Sequence, residues 1–210
     1  MKSIRTAAVS ILAAQKTSTI FSQDRIHEFI EQNRISEPDR QLLTHIVLGV
    51  IRHERLLDYL LNELSPKPAK LFLKQHLRVA LYQAVFLDKI PEYAVVSETM
   101  KTADHFKMNK HQKNYIRWIL GSFYKNHSCF LPYPGPYYDT LPLDIRYSIP
   151  DWILNEWRKY FSETELKQVL QASLDPPPIW IFPCDPSITL EDLIRKCEEA
   201  HITPHKETAP

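Results

Sequence analysis

Residues 78–98 read RVALYQAVFLDKIPEYAVVSE, the end of one amphipathic helix, a tight break at Ile90-Pro91, and the start of another. Leu77, Ala80, Leu81, Ala84 and Val85 recur at i, i+3, i+4, i+7 and i+8, a spacing that places them on one helix face. Pro91 lacks an N–H and its ring pushes Ile90 out of the α region, so the first helix must stop there. Val95, Val96, Met100 and Ala103 then restart an apolar face.

Working outward, the same 3.6-residue period fills the chain up to residue 130. A helix is predicted over Arg5 to Ala14, with Ala7, Ala8, Ile11 and Leu12 inward, and a short one over Asp24 to Gln32, with Ile26, Phe29 and Ile30 inward. Ser36-Glu37-Pro38-Asp39 supplies a capping residue, a first-turn proline and acids at the positive end of a helix dipole. The helix it opens carries Leu42, Leu43, Ile46, Val47, Val50 and Ile51. Gly49 sits inside it, at a cost of about 1 kcal/mol against Ala, so close packing on a neighbouring helix is expected there. Arg52-His-Glu-Arg55 continues into Leu56 to Leu64, Ser65-Pro-Lys-Pro68 breaks the chain, and a last helix holds Tyr115, Ile116, Ile119, Leu120 and Phe123. Lys107, Lys110, His111 and Lys113 read as a basic loop before it. Six or seven short helices make an α-helical bundle.

Composition changes near residue 131. Four of the 16 prolines precede it and twelve follow, and Leu131-Pro-Tyr-Pro-Gly-Pro136 reads as a stiff linker. The formal net charge of +1 divides unevenly there. Residues 1–130 hold 19 Lys+Arg against 12 Asp+Glu, and residues 131–210 hold 7 against 13. A net +7 suits a polyanionic partner, although a basic surface of that size can equally be only solvated. Beyond the linker, Pro150 to Tyr160 reads as a helix, Ser162-Glu-Thr-Glu165 as a capping box opening another, Ile179-Trp-Ile-Phe182 as a short β-strand, and Thr189-Leu-Glu-Asp192 as the cap of a last helix. The expected organisation is therefore mainly α: a helical domain over 1–130, a Pro-rich linker over 131–142, and a short, incomplete α/β extension over 143–210.

The apolar runs are too short to cross a bilayer, so no membrane partner is expected. The start MKSIRTAAVSILAAQK reads as a first helix rather than a signal peptide. Cys129, Cys184 and Cys197 form no CxxC pair, which suits reduced thiols in the cytoplasm and offers no zinc site.

The order Asp39-Arg40…Gly49-x-x-Arg52…Leu57-Asp58…Arg78…Leu81-Tyr82-Gln83…Phe86-Leu87…Ile90-Pro91…Ala94-Val95-Val96…Glu98 resembles the N-terminal domain of the RsmB (Sun, or Fmu) 16S rRNA cytosine-C5 methyltransferases. That domain is similar to NusB, a small helical RNA-binding antitermination factor. Arg146-Tyr147-Ser148-x-Pro150-x-Trp152 and Asp175-Pro-Pro-Pro178 continue the resemblance into the small subdomain that precedes the family's catalytic domain. Two stretches depart from the family. Arg117 and Gly121 stand where its last NusB-like helix usually has Asn and Arg, and Ile181-Phe-Pro-Cys184 replaces its Arg-x-Asn.

The resemblance implies a region that recognises RNA, 16S rRNA in the first instance, with docking of a ribosomal or transcription protein, or antitermination of the NusB type, as alternatives. It also implies S-adenosylmethionine chemistry in the family's catalytic domain. That chemistry needs a Gly-rich loop and cysteines in Thr-Cys and Pro-Cys contexts. The chain has only Gly49, Gly121 and Gly135, and Pro183-Cys184 lies ahead of where such a domain begins. No cofactor, metal or catalytic residue is therefore expected, and these residues are expected to transfer no methyl group. The expected RNA contacts are Arg5, Arg40, Arg52, Arg55, Arg78 and Arg117, with ion pairs to Asp39 and Asp58 as the structural alternative for Arg40 and Arg52. Trp118, Trp152 and Trp157 are able to stack on bases, with Trp152 and Trp157 read as pinning the post-linker helix to the bundle.

Overall fold

One helix organises the bundle. The structure, a computed structural model, describes residues 3–15, 21–65, 67, 69–131, 133–175, 181–183, 185, 187–200 and 202. Its first seven helices are α1 (Ile4–Gln15), α2 (Ser22–Asn33), α3 (Glu37–Arg52), α4 (Glu54–Leu64), α5 (Leu71–Phe86), α6 (Glu92–His105) and α7 (Lys110–Lys125). Helix α5 packs against α1, α3, α4, α6 and α7. The apolar spacing predicts one buried face for α5, yet eleven of its 16 residues are buried, among them Gln75, His76, Arg78 and Gln83. Burying such groups is tolerable only with hydrogen-bond partners. Gln83 donates to the Val79 carbonyl at 3.0 Å and accepts from Arg5 Nε at 2.9 Å, and His76 Nε2 lies 3.0 Å from the Thr99 carbonyl of α6.

The expected breaks fall where the chain's chemistry puts them. Helix α5 ends at Phe86, and α6 begins after Pro91, which takes the extended N-cap conformation. Helix α3 starts after Ser36 with Pro38 in its first turn, although the Ser36 hydroxyl donates to Asp39 Oδ2 at 2.9 Å instead of capping a backbone amide. One expected continuous helix is split: α3 stops at Arg52 and α4 starts at Glu54, with His53 between them. The buried His53 ring stacks on Phe86 at 4.2 Å, which bends the chain inward at that point. Gly49 meets its expectation directly. A Cβ there would fall within the Tyr82 ring of α5, so only glycine lets α3 and α5 cross this closely.

The chain past 130 folds back onto the bundle. It forms α8 (His127–Phe130), α9 (Pro136–Asp139), α10 (Leu143–Arg146), α11 (Asp151–Trp157) and α12 (Glu163–Leu174). Tyr138 is fully buried and its hydroxyl donates to the Phe130 carbonyl at 2.6 Å. Its ring contacts Tyr133 at 4.6 Å, and Tyr133 contacts Phe86 of α5 at 4.5 Å. Residues of the expected linker thus join the bundle core instead of bridging open space. Helix α10 packs on α4, and Ser148, with a left-handed φ of 51°, uses its hydroxyl to accept the Leu56 N–H at 3.2 Å in the first turn of α4. Tyr147, Leu154, Leu166 and Leu170 form a second small core. The Ser162–Glu165 capping box of α12 is present, with Ser162 N donating to Glu165 Oε2 at 2.8 Å. Trp157 packs against this second core, but Trp152 is 72% exposed and pins nothing, because it points away from the buried Leu154 side of α11.

Packing separates two compact units, Met1–Leu174 and Asp175–Pro210, so the separation lies beyond the Pro-rich segment. In the second unit, Thr189 and Asp192 cap α13 (Leu190–Glu199) reciprocally. Of the expected strand, Ile179 and Trp180 lie outside the described residues, and Ile181 and Phe182 belong to no strand. A lone four-residue segment needs a pairing neighbour, and the described residues offer none.

Two stability predictions follow from this core. Away from contacts, Gly→Ala in a helix gains about 1 kcal/mol. The Tyr82 ring reverses the sign, so Gly49→Ala should lose about 1–3 kcal/mol in urea unfolding, and less when Tyr82 is replaced by Leu. Burial lowers His53 to about 4, helped by the Arg52 charge, and burial lowers His76 to about 4 against its bond to the Thr99 carbonyl. Both rings are neutral in the folded chain, while the unfolded chain protonates them near 6.5. Their contribution is therefore complete above pH 6.5, falls between pH 6.5 and 4 by about 3 kcal/mol per ring, and levels off below. His53→Phe should remove its share of that slope in unfolding curves taken across the interval.

Candidate nucleic-acid interface

The six arginines marked in the sequence do not form one surface. Arg78 is 2% exposed and lies inside the bundle. Its Nε and Nη2 donate to Asp58 Oδ1 and Oδ2, each at 2.7 Å, its Nη1 donates to Gln75 Oε1 at 3.2 Å, and Glu54 closes the same side. With four of its five N–H groups engaged and the side chain buried, Arg78 is out of reach of a phosphate, contrary to the sequence expectation. Arg55 is engaged likewise: Nη2 bonds Asp144 at 2.6 Å and Asp151 at 3.0 Å, tying α4 to the segment after the bundle. Arg5 is half-buried on α1 and donates to Gln83. The Lys101 ammonium, with Arg5 as a further cation, holds the nearby Glu98 carboxyl below its usual range.

Arg40, Arg52 and Arg117 are exposed. Arg40 pairs with Glu37 at 3.6 Å rather than with Asp39. Arg52 donates to the Leu174 carbonyl at 3.4 Å, because Asp58 is taken by Arg78 and by Lys74, which bonds it at 2.6 Å. Arg117 makes one weak local bond, to Asn114 Oδ1 at 3.2 Å, and it alone of the six stands in a wider basic surface.

That surface is the outer face of α7. The helix, KHQKNYIRWILGSFYK, contains no acid. Ile116, Ile119, Leu120 and Phe123 bury its inner face. Lys110, His111, Asn114, Arg117, Trp118, Gly121 and Lys125 are all exposed, and at 3.6 residues per turn they share an arc of about 120°. Asn109 starts the helix with a full capping box: its side chain accepts from Gln112 N, and Gln112 Oε1 accepts from Asn109 N, both at 3.0 Å. Of the expected basic loop, Lys107 does lie in the turn before α7, but Lys110, His111 and Lys113 belong to the first turn of the helix, and Asn109-x-x-Gln112 is the signal for it. Cations in that turn oppose the helix dipole, which costs a few tenths of a kcal/mol each. Lys113 offsets its share by bonding Asp104 of α6 at 2.6 Å. Among the described residues no carboxylate pairs with Lys110, Arg117 or Lys125.

The aromatic part of the face is also built. Trp118 is 51% exposed. The Tyr115 ring lies 6.0 Å from it at 31°, and the Tyr115 hydroxyl donates to the Lys67 carbonyl at 3.2 Å, which fixes the ring and places Lys67 beside this edge. In the sequence Arg117 and Trp118 stand out only separately. Their shared face with Lys110 and Lys125 becomes visible only once the start of α7 is known.

Seven packed helices with a basic, acid-free outer helix define the class, and the NusB family model matches residues 2–125, the span from α1 to α7: the chain belongs to the NusB family. Its relatives are more specific. The probable ribosomal RNA small subunit methyltransferase B of Bacillus subtilis (strain 168) is 26% identical over 182 residues, covering 83% of this chain and 39% of that protein. The ribosomal RNA small subunit methyltransferase B of Escherichia fergusonii is 28% identical over 153 residues, covering 71% of this chain and 34% of that protein. The chain thus spans between about a third and two fifths of the length of these curated relatives. No helix among the described residues is long and apolar enough to cross a membrane, and no group of three or more His, Cys, Asp or Glu among them is placed to hold a metal ion.

The inner arginine gives a test separate from RNA. Asp58→Ala leaves Arg78 buried against one fewer carboxylate and should cost about 3–5 kcal/mol in urea unfolding. Arg78→Met combined with Asp58→Leu should recover most of that loss, because the charge and its partner leave together.

Proposed function

We propose that residues 1–130 are the RNA-recognising domain of a protein related to the small-subunit rRNA methyltransferases, and that the outer face of α7 carries the contact. The observation behind this reading is the unpaired run Lys110, Arg117 and Lys125 on a helix with no acid. Phosphate oxygens are the ligands that such a run attracts, and each neutralised phosphate releases counterions. Arg40 and Arg52, exposed and only weakly bonded, are secondary contacts; Arg5 is a marginal one, since its Nε is already spent on Gln83. The relatives' names, all of them ribosomal RNA methyltransferases, point to 16S-type rRNA as the RNA.

No methyl transfer is assigned to residues 1–210. S-adenosylmethionine sites need backbone close to the cofactor, and the three glycines here are scattered at 49, 121 and 135. Gly49 is already accounted for by Tyr82.

The test is binding of the purified chain to small-subunit rRNA fragments across a salt series. Affinity should fall steeply with salt, and replacing Lys110, Arg117 and Lys125 together by Gln should reduce the log–log slope by about 3. The same preparation should leave the RNA unlabelled when given methyl-labelled S-adenosylmethionine. Absence of binding at low salt, or a slope unchanged in the triple variant, would remove the reading. Salt-insensitive capture of a ribosomal protein instead would make the bundle a protein-docking module.

A further inference from the structure

We infer that Trp118 is a stacking platform for unpaired bases, so that the ligand of α7 is single-stranded rather than duplex RNA; this rests on the RNA reading above. A half-exposed indole amid Lys110, His111, Arg117 and Lys125 contributes little to the core of its own helix. Its apolar face is left to water while cations surround it, an arrangement that a base between two phosphates complements: the ring stacks and the phosphates meet the cations. No carboxylate stands on this face; of the α6 acids beside α7, Asp104 is held by Lys113 at 2.6 Å and Glu92 lies near Tyr124.

Gly121, one turn beyond Trp118, supports the inference independently. Gly49 is explained by Tyr82, but a Cβ at 121 would meet nothing within 4 Å. Packing does not require glycine there, and glycine is among the poorest helix formers. What its missing side chain leaves is open surface on the same exposed face of α7 that carries the indole. Tyr115, tethered to the Lys67 carbonyl at 3.2 Å, gives the indole a fixed neighbour on one flank, while the helix surface at Gly121 is uncovered. Asn114 accepts from Arg117 through Oδ1, which leaves its amide N–H groups able to meet a base edge. In an A-form duplex the bases are stacked on one another and a helix-borne indole has no base face to reach; splayed single strands present one.

The experiment compares a short unstructured RNA strand with the same strand annealed to its complement, by fluorescence anisotropy at low salt. The wild-type chain should prefer the single strand by roughly ten-fold or more. Trp118→Leu should lose about that factor on the single strand and leave duplex binding unchanged, while Trp118→Phe should retain most of it. Gly121→Leu fills open space without touching the core and should also lower single-strand affinity, so the inference remains testable even if Trp118→Leu folds poorly. Arg117→Gln should weaken both RNAs and reduce the salt slope. If Trp118→Leu and Gly121→Leu bind the single strand like wild type while Arg117→Gln does not, the stacking inference is overturned and RNA recognition stands. If the wild-type chain binds neither RNA, both fall.

Discussion

The buried guanidinium of Arg78 is the constraint on which the rest of the bundle turns. Taking such a charge out of water is costly unless its donors are met at good geometry. Here two parallel bonds to Asp58, one to Gln75, and the carboxylate of Glu54 meet them. A bidentate pair of that kind fits only one register of α4 against α5. Once α4 and α5 are set, Tyr82 of α5 is set too, and with it the crossing at Gly49 of α3. The aromatic chain through His53, Phe86, Tyr133 and Tyr138 then carries the packing into residues that the proline pattern would have left as a tether.

The same interaction explains why the basic character of the first 130 residues is less available than its count suggests. Arg78 is neutralised within the bundle, Lys74 shares its partner, and Arg55 is matched by Asp144 and Asp151 from the acidic part of the chain. The uneven division of charge is thus partly an internal exchange between the two stretches of sequence. Among the described residues, Lys110, Arg117 and Lys125 are uncompensated cations that share one face of α7, whose inner face is satisfied by apolar packing.

Periodicity, proline and glycine were enough to read the bundle. The i, i+3, i+4 stripes, the stop at Ile90-Pro91 and the close approach at Gly49 all act locally or through one missing atom, so a one-dimensional pattern carries them. Long-range polar pairing was not legible. Arg78 and Asp58 are twenty residues apart, and nothing in their neighbours says that they face one another. Of the six arginines expected to meet RNA, Arg78 and Arg55 are internal fasteners for that reason. The basic face of α7 is nearer to hand: Lys110, His111, Arg117 and Trp118 stand out in the sequence while Asn114 and Lys125 do not, and reading Lys110–Lys113 as loop hides the angle they share with Arg117 and Trp118. Residues 179–182 show the opposite failure, an apolar run that reads as a strand although nothing described pairs with Ile181 or Phe182.

Ser148 gives the fold a direction in time. It accepts an amide hydrogen of Leu56, 92 positions earlier, and so serves as a cap that α4 does not carry in its own flanking sequence. As the chain leaves the ribosome, α4 and its partners can assemble around Arg78 with that end still bare and with Arg55 still waiting for Asp144 and Asp151. Closure comes only when the later segment arrives and lays α10 on α4. The Leu56 amide of α4 is thus met by a residue that belongs, in sequence, to what comes after the bundle.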